Sequence, residues 1–269
     1  MHVTVLGAGI IGVSTAWHLL QRGHSVTVVE RQPAAALETS FANAAQISVS
    51  YCEPWANRQA PLKALKWMFS ATSPLLFRPQ WDPDQWRWAL QFLGQCNDAA
   101  FERNVAELVA LGSYSHEALK AAVADTGIAF DRLERGIAHY YTDEKAFAGA
   151  ADAAAVMQRF GVQRRVVSRE ELLQIEPALR AFGERIVGGT YTASDESGDA
   201  RVFTQALAQR CEQRGAQMLW NHDIDRLDRV GDEIRQVRVR DRLNGQLRLL
   251  QSDAFVVACG SYTAPLLKT

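Results

Sequence analysis

The sequence predicts an α/β fold, a βαβ-type nucleotide-binding domain that carries an inserted α+β domain. Three observations predict it. A short apolar strand at residues 3–6 runs directly into Gly7-Ala8-Gly9-Ile10-Ile11-Gly12. Val13, Ala16, Trp17 and Leu20 then fall at the i, i+3, i+4, i+7 spacing of an amphipathic helix. Further on, helices and strands alternate without a regular βαβ rhythm, until an apolar strand at 254–258 offers a return to the first sheet.

Each part of the opening unit has a physical task. Gly7 permits the tight turn from strand to helix, Gly9 lets a pyrophosphate approach bare backbone, and Gly12 lets helix and strand pack closely. Free N–H groups at the helix start, including those of Ile10 and Ile11, together with the helix dipole, hold phosphate charge. Gly23 ends the helix. Residues 26–29 form the second strand, with Glu30 at its tip to accept hydrogen bonds from ribose hydroxyls and to repel a 2′-phosphate, which disfavours NADP. The alternative is a chance Gly-rich turn. A strand before, a helix after and an acid at the end of the next strand are the context that dinucleotide binding requires.

Bulk properties narrow the class. The 269 residues suffice for one large domain or two ordinary ones. At 48% apolar and 22% charged, the balance is that of a globular protein. A net charge of −1 gives no general attraction to nucleic acid. Cys52, Cys96, Cys211 and Cys259 form no C-x-x-C pair and sit near no histidine at ligand spacing. They read as reduced thiols of a cytoplasmic protein without structural zinc, and the scattered histidines suggest no metal cluster. The N-terminus lacks a basic leader, and no run of about eighteen apolar residues is present, so neither a signal peptide nor a spanning helix is expected.

The glycine fingerprint alone does not separate FAD from NAD. Residues 38–48, Glu-Thr-Ser-Phe-Ala-Asn-Ala-Ala-Gln-Ile-Ser, are small, polar and aperiodic where an NAD-type half would continue into helix and strand. Ser40 and Asn43 offer side-chain donors, and the small residues allow backbone amides to approach a ligand.

Across the stretches VLGAGIIGVSTAWHL, GHSVTVVERQPAAALETSFANAAQIS, PLKALKWMF, IEPAL, DESGDARVFTQALA and VVACGSYTAPLLK, the chain resembles the FAD-dependent oxidoreductases of the D-amino-acid oxidase and glycine oxidase superfamily, nearest the bacterial D-amino-acid dehydrogenase small subunits. The resemblance runs from residue 3 to residue 268. It implies a Rossmann-like FAD-binding domain from 1–50 and 195–269, incomplete at the C-terminus, and an inserted, also incomplete substrate or cap domain at 51–194. Ser40, Asn43 and Ala44 are implied to face the pyrophosphate. Ala45, Gln46 and Ile47 run past the isoalloxazine ring, and Glu30 and Arg31 hold the adenosine. Ile224 pairs its backbone with adenine, while Ala258, Cys259 and Gly260 close over the cofactor. The family pattern A-N-A-G-Q-x-S-P-G is altered here, with Ala45 for the first glycine, Val49 for proline and Ser50 for the last glycine.

The implied activity is oxidative deamination of D-amino acids to 2-oxo acids and ammonia, by hydride transfer to flavin N5, with electrons passed to a respiratory acceptor. No catalytic base is assigned, nor the arginine that binds the substrate carboxylate. Alternatives are a glycine- or sarcosine-type oxidase, a non-catalytic FAD-binding subunit, and an NAD-dependent dehydrogenase, which the 38–48 loop argues against. Relatives continue for well over a hundred residues past this chain's last one, which implies weak FAD binding and poor turnover in the chain alone.

Elsewhere, residues 51–97 hold five of the seven tryptophans, Trp55, Trp67, Trp81, Trp86 and Trp88, interleaved with Arg58, Lys63, Lys66, Arg78 and Arg87. Packing into a helical cap is the preferred reading, and a surface meeting a membrane or a respiratory partner is the other. A long helix is predicted at 98–126, strands at 128–130 and 136–141, and a helix from Thr142 to about Phe160. A capping box at Ser168 and Glu171 opens the next helix. Tyr140 and Tyr141 point to opposite strand faces, ordinary packing being preferred over substrate contact. Asp195, Glu196 and Asp199 form an acidic turn with no catalytic role, Asp199 capping a helix over 200–214. Strands at 217–220, 226–230, 234–239, 247–250 and 255–258 complete the chain, with Asn244-Gly245 as a hairpin turn.

Overall fold

The computed structural model describes residues 1–68 and 78–268, without the side chains of 65–68. Trp67, Lys66 and the end of the PLKALKWMF stretch lie outside those described side chains. The elements in chain order are β1 (His2–Leu6), α1 (Ile10–Gln21), β2 (Ser25–Val29), β3 (Gln46–Ile47), α2 (Ala60–Met68), α3 (Pro83–Gly94), α4 (Asp98–Thr126), β4 (Ile137–Tyr141), α5 (Glu144–Arg159), β5 (Arg165–Val167), α6 (Arg169–Ile175), β6 (Gly188–Thr192), β7 (Glu196–Ser197), α7 (Ala200–Gln213), β8 (Gln217–Leu219), β9 (His222–Val230), β10 (Glu233–Asp241), β11 (Leu247–Gln251), β12 (Ala254–Val257) and α8 (Thr263–Leu267). Two units partition the chain: residues 1–46, 121–133 and 197–269 form the first, residues 47–120 and 134–196 the second.

The first unit is built on a parallel sheet of order β12-β1-β2-β8. Its central strands are buried on both faces, with Thr4 and Thr27 covered as well as the fully buried Val5, Leu6, Val28 and Val29, as a sheet covered on both faces requires. β12 returns beside β1, with Val256 opposite Val5. It is only half-buried rather than buried, because it is the edge strand. An antiparallel meander, β9-β10-β11, adds Val237 and Val239 to a cluster with Leu6, Val29 and Leu219. Asn244-Gly245 turns its second hairpin, Gly245 at φ +73°. Asp199 caps α7 by accepting from the Val202 amide at 2.9 Å.

Residues 121–133 belong to this unit, not to the intervening 51–194 segment. Three contacts draw them in: Gln21 Nε2 donates to Asp125 Oδ2 at 2.9 Å, Arg210 donates to the Thr126 carbonyl at 3.3 Å, and Phe130 meets Phe203 edge to face with centroids 5.1 Å apart. The strand expected at 128–130 is absent. That stretch is irregular, and the isolated bridge between Leu133 and Ser197 follows three residues after it.

The second unit holds an antiparallel sheet of order β4-β6-β5. Clusters around Val105, Val109, Met157 and Val162, and around Val167, Leu172 and Ile186, form its core. β5 and β6 are unpredicted strands. β6 opens Gly188-Gly189, which reads as a turn in isolation. A Cβ on Gly188 would lie 2.3 Å from the Phe147 ring and one on Gly189 2.5 Å from the His139 carbonyl oxygen, so close packing demands both glycines. Asp143, not Thr142, caps α5 through the Ala146 amide at 2.8 Å. Half of the capping box forms, Ser168 accepting from the Glu171 amide at 3.2 Å, while Glu171's carboxylate pairs with Arg165.

The tryptophan-rich stretch departs most from its preferred reading. α3 buries none of its residues. Trp55, Trp81 and Trp88 are 83%, 104% and 58% exposed, and Trp86 is 47% exposed. Arg87, Leu90 and Leu93 share the exposed surface. Among the described residues, no helix is long and apolar enough to cross a membrane.

Candidate functional site

The glycine turn is assembled as its spacing anticipates. Gly7 sits at φ +103°, and a Cβ there would lie 2.5 Å from the Ala258 carbonyl oxygen. A Cβ on Gly12 would lie 1.9 Å from the Gly7 oxygen. These two glycines answer to packing. Gly9 differs: it caps α1 in an extended conformation with no side-chain cap, and its missing Cβ would meet only Ser40 Oγ, at 3.4 Å. Ser40 reaches the same helix end, accepting from the Ile10 amide at 3.1 Å. Ile11 is 67% exposed beside it. A helix start with a bare glycine at its N-cap fits a diphosphate, because its first N–H groups lack intrahelical acceptors, that of Ile10 being held by Ser40.

Glu30 is nearly buried at the tip of β2. Its Oε2 accepts from the Ala8 amide at 2.8 Å and its Oε1 from the Gln32 amide at 2.9 Å. The carboxylate therefore props the glycine turn, and each of its oxygens keeps a lone pair open to a further donor. Beside it, Arg31 donates to Glu38 Oε1 from Nε at 2.9 Å and Nη2 at 2.7 Å, and its guanidinium lies 4.0 Å from the Tyr262 ring centroid. Hydrogen bonding with Tyr262 first, then Glu38, raises the Arg31 pKa against the opposing effect of burial. Gln32 first, then Arg31, holds the Glu38 carboxyl below its ordinary range. Glu38, Gln32 and Tyr262 are partners the sequence did not single out. Tyr262 follows Gly260 by two residues, and only the return of β12 brings it to Arg31.

Ala258 and Cys259 reach the turn. The Ala258 amide and the Cys259 thiol both donate to the Leu6 carbonyl, at 2.8 and 3.3 Å. Burial, reinforced by Glu30, pushes the Cys259 thiol pKa up. Ile224 lies opposite Val239 in the β9–β10 register, packed on the cluster that contains Leu6 and Val29.

The 40–47 segment turns on Asn43, whose Oδ1 accepts from the Ala45 amide at 2.8 Å. Ala45 adopts φ +54°, the left-handed conformation for which the family pattern supplies glycine. Its carbonyl accepts from the Gly198 amide at 2.9 Å. Ala44 and Gln46 are exposed, and Ile47 is half-buried. Within the first unit, Phe41, Asn43, Ala45, Asp131, Gly198 and Arg201 border an open cleft of about 300 Å³.

The second unit contains a polar cluster that sequence reasoning missed. Asp195, assigned to an acidic turn, is 1% exposed and accepts from both Ser48 and Ser50. Glu196 is also buried and bonds His116 at 2.7 Å. Buried Arg164 pairs with Glu53 at 2.6 Å and reaches the Tyr141 hydroxyl at 3.5 Å, its Nε left without a partner. Tyr141 therefore faces inward while Tyr140 is half exposed. Tyr51 stacks on His139 with centroids 4.7 Å apart. Burial first, then Arg164, lowers the His139 pKa. No spacing in the sequence links these residues. Among the described residues, no group of three or more His, Cys, Asp or Glu is arranged to hold a metal ion.

The sequence profile of the family described as "DAO: FAD dependent oxidoreductase" matches residues 2–269. A D-amino acid dehydrogenase of Dechloromonas aromatica (strain RCB) is 47% identical over 268 residues, which cover all of this chain and 64% of that protein. Among solved structures, L-proline dehydrogenase from P. horikoshii is similar with a TM-score of 0.68 at 18% identity, over 99% of this chain and 55% of that one. Glycine oxidase from Bacillus cereus ATCC 14579 is similar with a TM-score of 0.65 at 20% identity, over 99% and 57%. These two likenesses concern the fold. The chain thus spans less than two thirds of the length of each of these three proteins.

Proposed function

The chain belongs to the DAO family of FAD dependent oxidoreductases, and from that premise we propose that it acts in the oxidative deamination of D-amino acids to 2-oxo acids and ammonia. The observation that carries the cofactor reading is the start of α1, where Gly9 leaves the backbone bare and Ser40 accepts from the Ile10 amide beside the turn that Glu30 props. When bound there, FAD supplies a two-electron acceptor for the substrate α-hydrogen, removed as hydride.

The chain's residues do the holding. Amides at the α1 start and the Ser40, Asn43 and Ala44 segment take the pyrophosphate. Glu30 accepts from ribose hydroxyls, and Arg31, fixed by Glu38, borders the adenosine with Ile224. Ala45, Gln46 and Ile47 border the flavin, and Ala258, Cys259 and Gly260 close the phosphate end. The D-amino acid preference rests on the 47% identity to the Dechloromonas protein of that name. The glycine oxidase likeness supports the fold alone and leaves an oxidase as the runner-up.

The visible spectrum of purified protein after FAD loading tests the reading. Flavin bands that bleach anaerobically on D-alanine addition, with dye reduction and no peroxide, support a dehydrogenase; peroxide formation points to the oxidase. Protein that retains no flavin, in parallel with intact α1, overturns the cofactor assignment.

Exposure of Trp55, Trp81, Trp86 and Trp88 beside Arg58, Lys63, Arg78 and Arg87 favours a second reading, a cytoplasmic chain that touches a membrane surface carrying its respiratory acceptor. Co-sedimentation with anionic vesicles, lost in the W86A/W88A variant, is the result that supports it.

A further inference from the structure

We infer that Asp195 is a positioning residue for the flavin-bordering segment, acting through Ser48 and Ser50 to replace a rigidity that the family pattern draws from proline. The inference rests on the reading that Ala45–Ile47 border the flavin.

Three observations carry it. Asp195 is 1% exposed and Ser50 is fully buried. A buried carboxylate persists only where donors surround it. Those donors are Ser48 Oγ at 2.6 Å, Ser50 Oγ, and the Ser50 amide at 3.4 Å, the two hydroxyls converging on Oδ2. Ser48 and Ser50 flank Val49, which stands where the pattern has proline, and Ser50 stands where it has glycine. Proline fixes φ without any partner. Valine does not, and the bonds on either side of it restrain the same stretch of chain. Upstream, within the first unit, the Ala45 carbonyl accepts from the Gly198 amide at 2.9 Å.

The local backbone admits the family residues. Ser48 is extended, with φ −128° and ψ 94°, and Val49 opens a 3₁₀ turn. Both suit a proline at position 49, which favours an extended predecessor and the first position of a helix. This permits a rescue experiment: if Asp195 serves only to hold 48–50, then V49P/S50G makes it dispensable.

The test compares the wild-type chain with D195A, with S48A, and with D195A/V49P/S50G. Hydrogen exchange of the peptide covering 44–51 is read without cofactor. Flavin absorption, FAD affinity and anaerobic flavin reduction by D-alanine are read after FAD loading. Exchange in this peptide rises at least about tenfold in D195A and less in S48A. The flavin bands shift and reduction slows about tenfold or more, while FAD affinity stays within about threefold because the phosphate cradle is untouched. V49P/S50G restores both. Unchanged exchange in D195A and S48A, or a defect that V49P/S50G does not repair, overturns the proposal. If D195A does not fold, S48A exchange decides alone. If the wild-type chain takes up no FAD, the cofactor reading fails by itself, and exchange still decides whether Asp195 restrains this segment.

Discussion

The Gly7 carbonyl oxygen fills the space into which a Cβ on Gly12 would project, 1.9 Å from it, whereas a Cβ on Gly9 would find only the Ser40 hydroxyl, 3.4 Å away. The two glycines therefore have separable duties. Gly12→Ala forces backbone apart and lowers stability by about 1–3 kcal/mol or more. Gly9→Ala leaves the melting temperature nearly unchanged and weakens FAD binding about tenfold or more by blocking phosphate approach. Thermal melts and flavin fluorescence titration read the two effects, and an equal loss of stability in both variants counts against the division.

Glu30 is both prop and ligand. Glu30→Ala strands the Ala8 and Gln32 amides and costs about 1–3 kcal/mol. Glu30→Gln keeps one acceptor oxygen, so it retains most of the stability and loses cofactor affinity. Identical melting temperatures for Glu30→Ala and wild type would falsify the propping role.

Ala45 holds φ +54° without the freedom of glycine. Ala45→Gly relieves that strain and raises stability by about 1 kcal/mol, a melting shift of about 2–4 °C by calorimetry. A fall in melting temperature shows instead that the alanine methyl's packing outweighs the backbone cost.

Arg164 is 2% exposed and its partner Glu53 33% exposed at the side chain. Glu53→Gln leaves the cation short of its counter-charge and destabilises by about 1–3 kcal/mol, discounted from a fully buried pair because Glu53 reaches water. The double variant E53M/R164M regains most of that loss. Denaturant titration measures both, and additive losses in the double variant contradict the pairing.

Burial raises the Cys211 thiol from its ordinary 9.0 to about 12. The unfolded chain releases this proton above pH 9 while the folded chain retains it, so stability falls as pH rises from 9 toward 12, by up to about 1.4 kcal/mol per unit. Cys211→Ala removes this component of the alkaline slope. Denaturant midpoints at pH 8, 9 and 10 for both proteins reveal it, and parallel slopes dispose of it.

Legibility in the sequence follows the range of the interactions. The strand–turn–helix of residues 2–21, the acid at Glu30, the Asp199 cap and the Asn244-Gly245 hairpin are governed by neighbours a few residues apart. Their glycines, caps and periodicities are therefore written locally. The Asn43 turn is equally short in range, its side chain accepting from an amide two residues on, but from sequence Asn43 reads as a donor to a ligand, and that bond was not anticipated. The tryptophans were misjudged for the complementary reason: composition counts apolar rings and says nothing of whether a partner surface covers them.

The sequence by itself determined a glycine-turn dinucleotide fold, because that machinery is contiguous and its spacing is set by backbone geometry; FAD rather than NAD came from the resemblance to a family, which the family match bears out. Only the tertiary structure decided that Asp195 is buried against Ser48 and Ser50, that Arg164 finds Glu53 from 111 residues away, and that Tyr262 comes to rest on Arg31. Those pairings depend on desolvation and on where distant strands bring their ends. No local pattern encodes either.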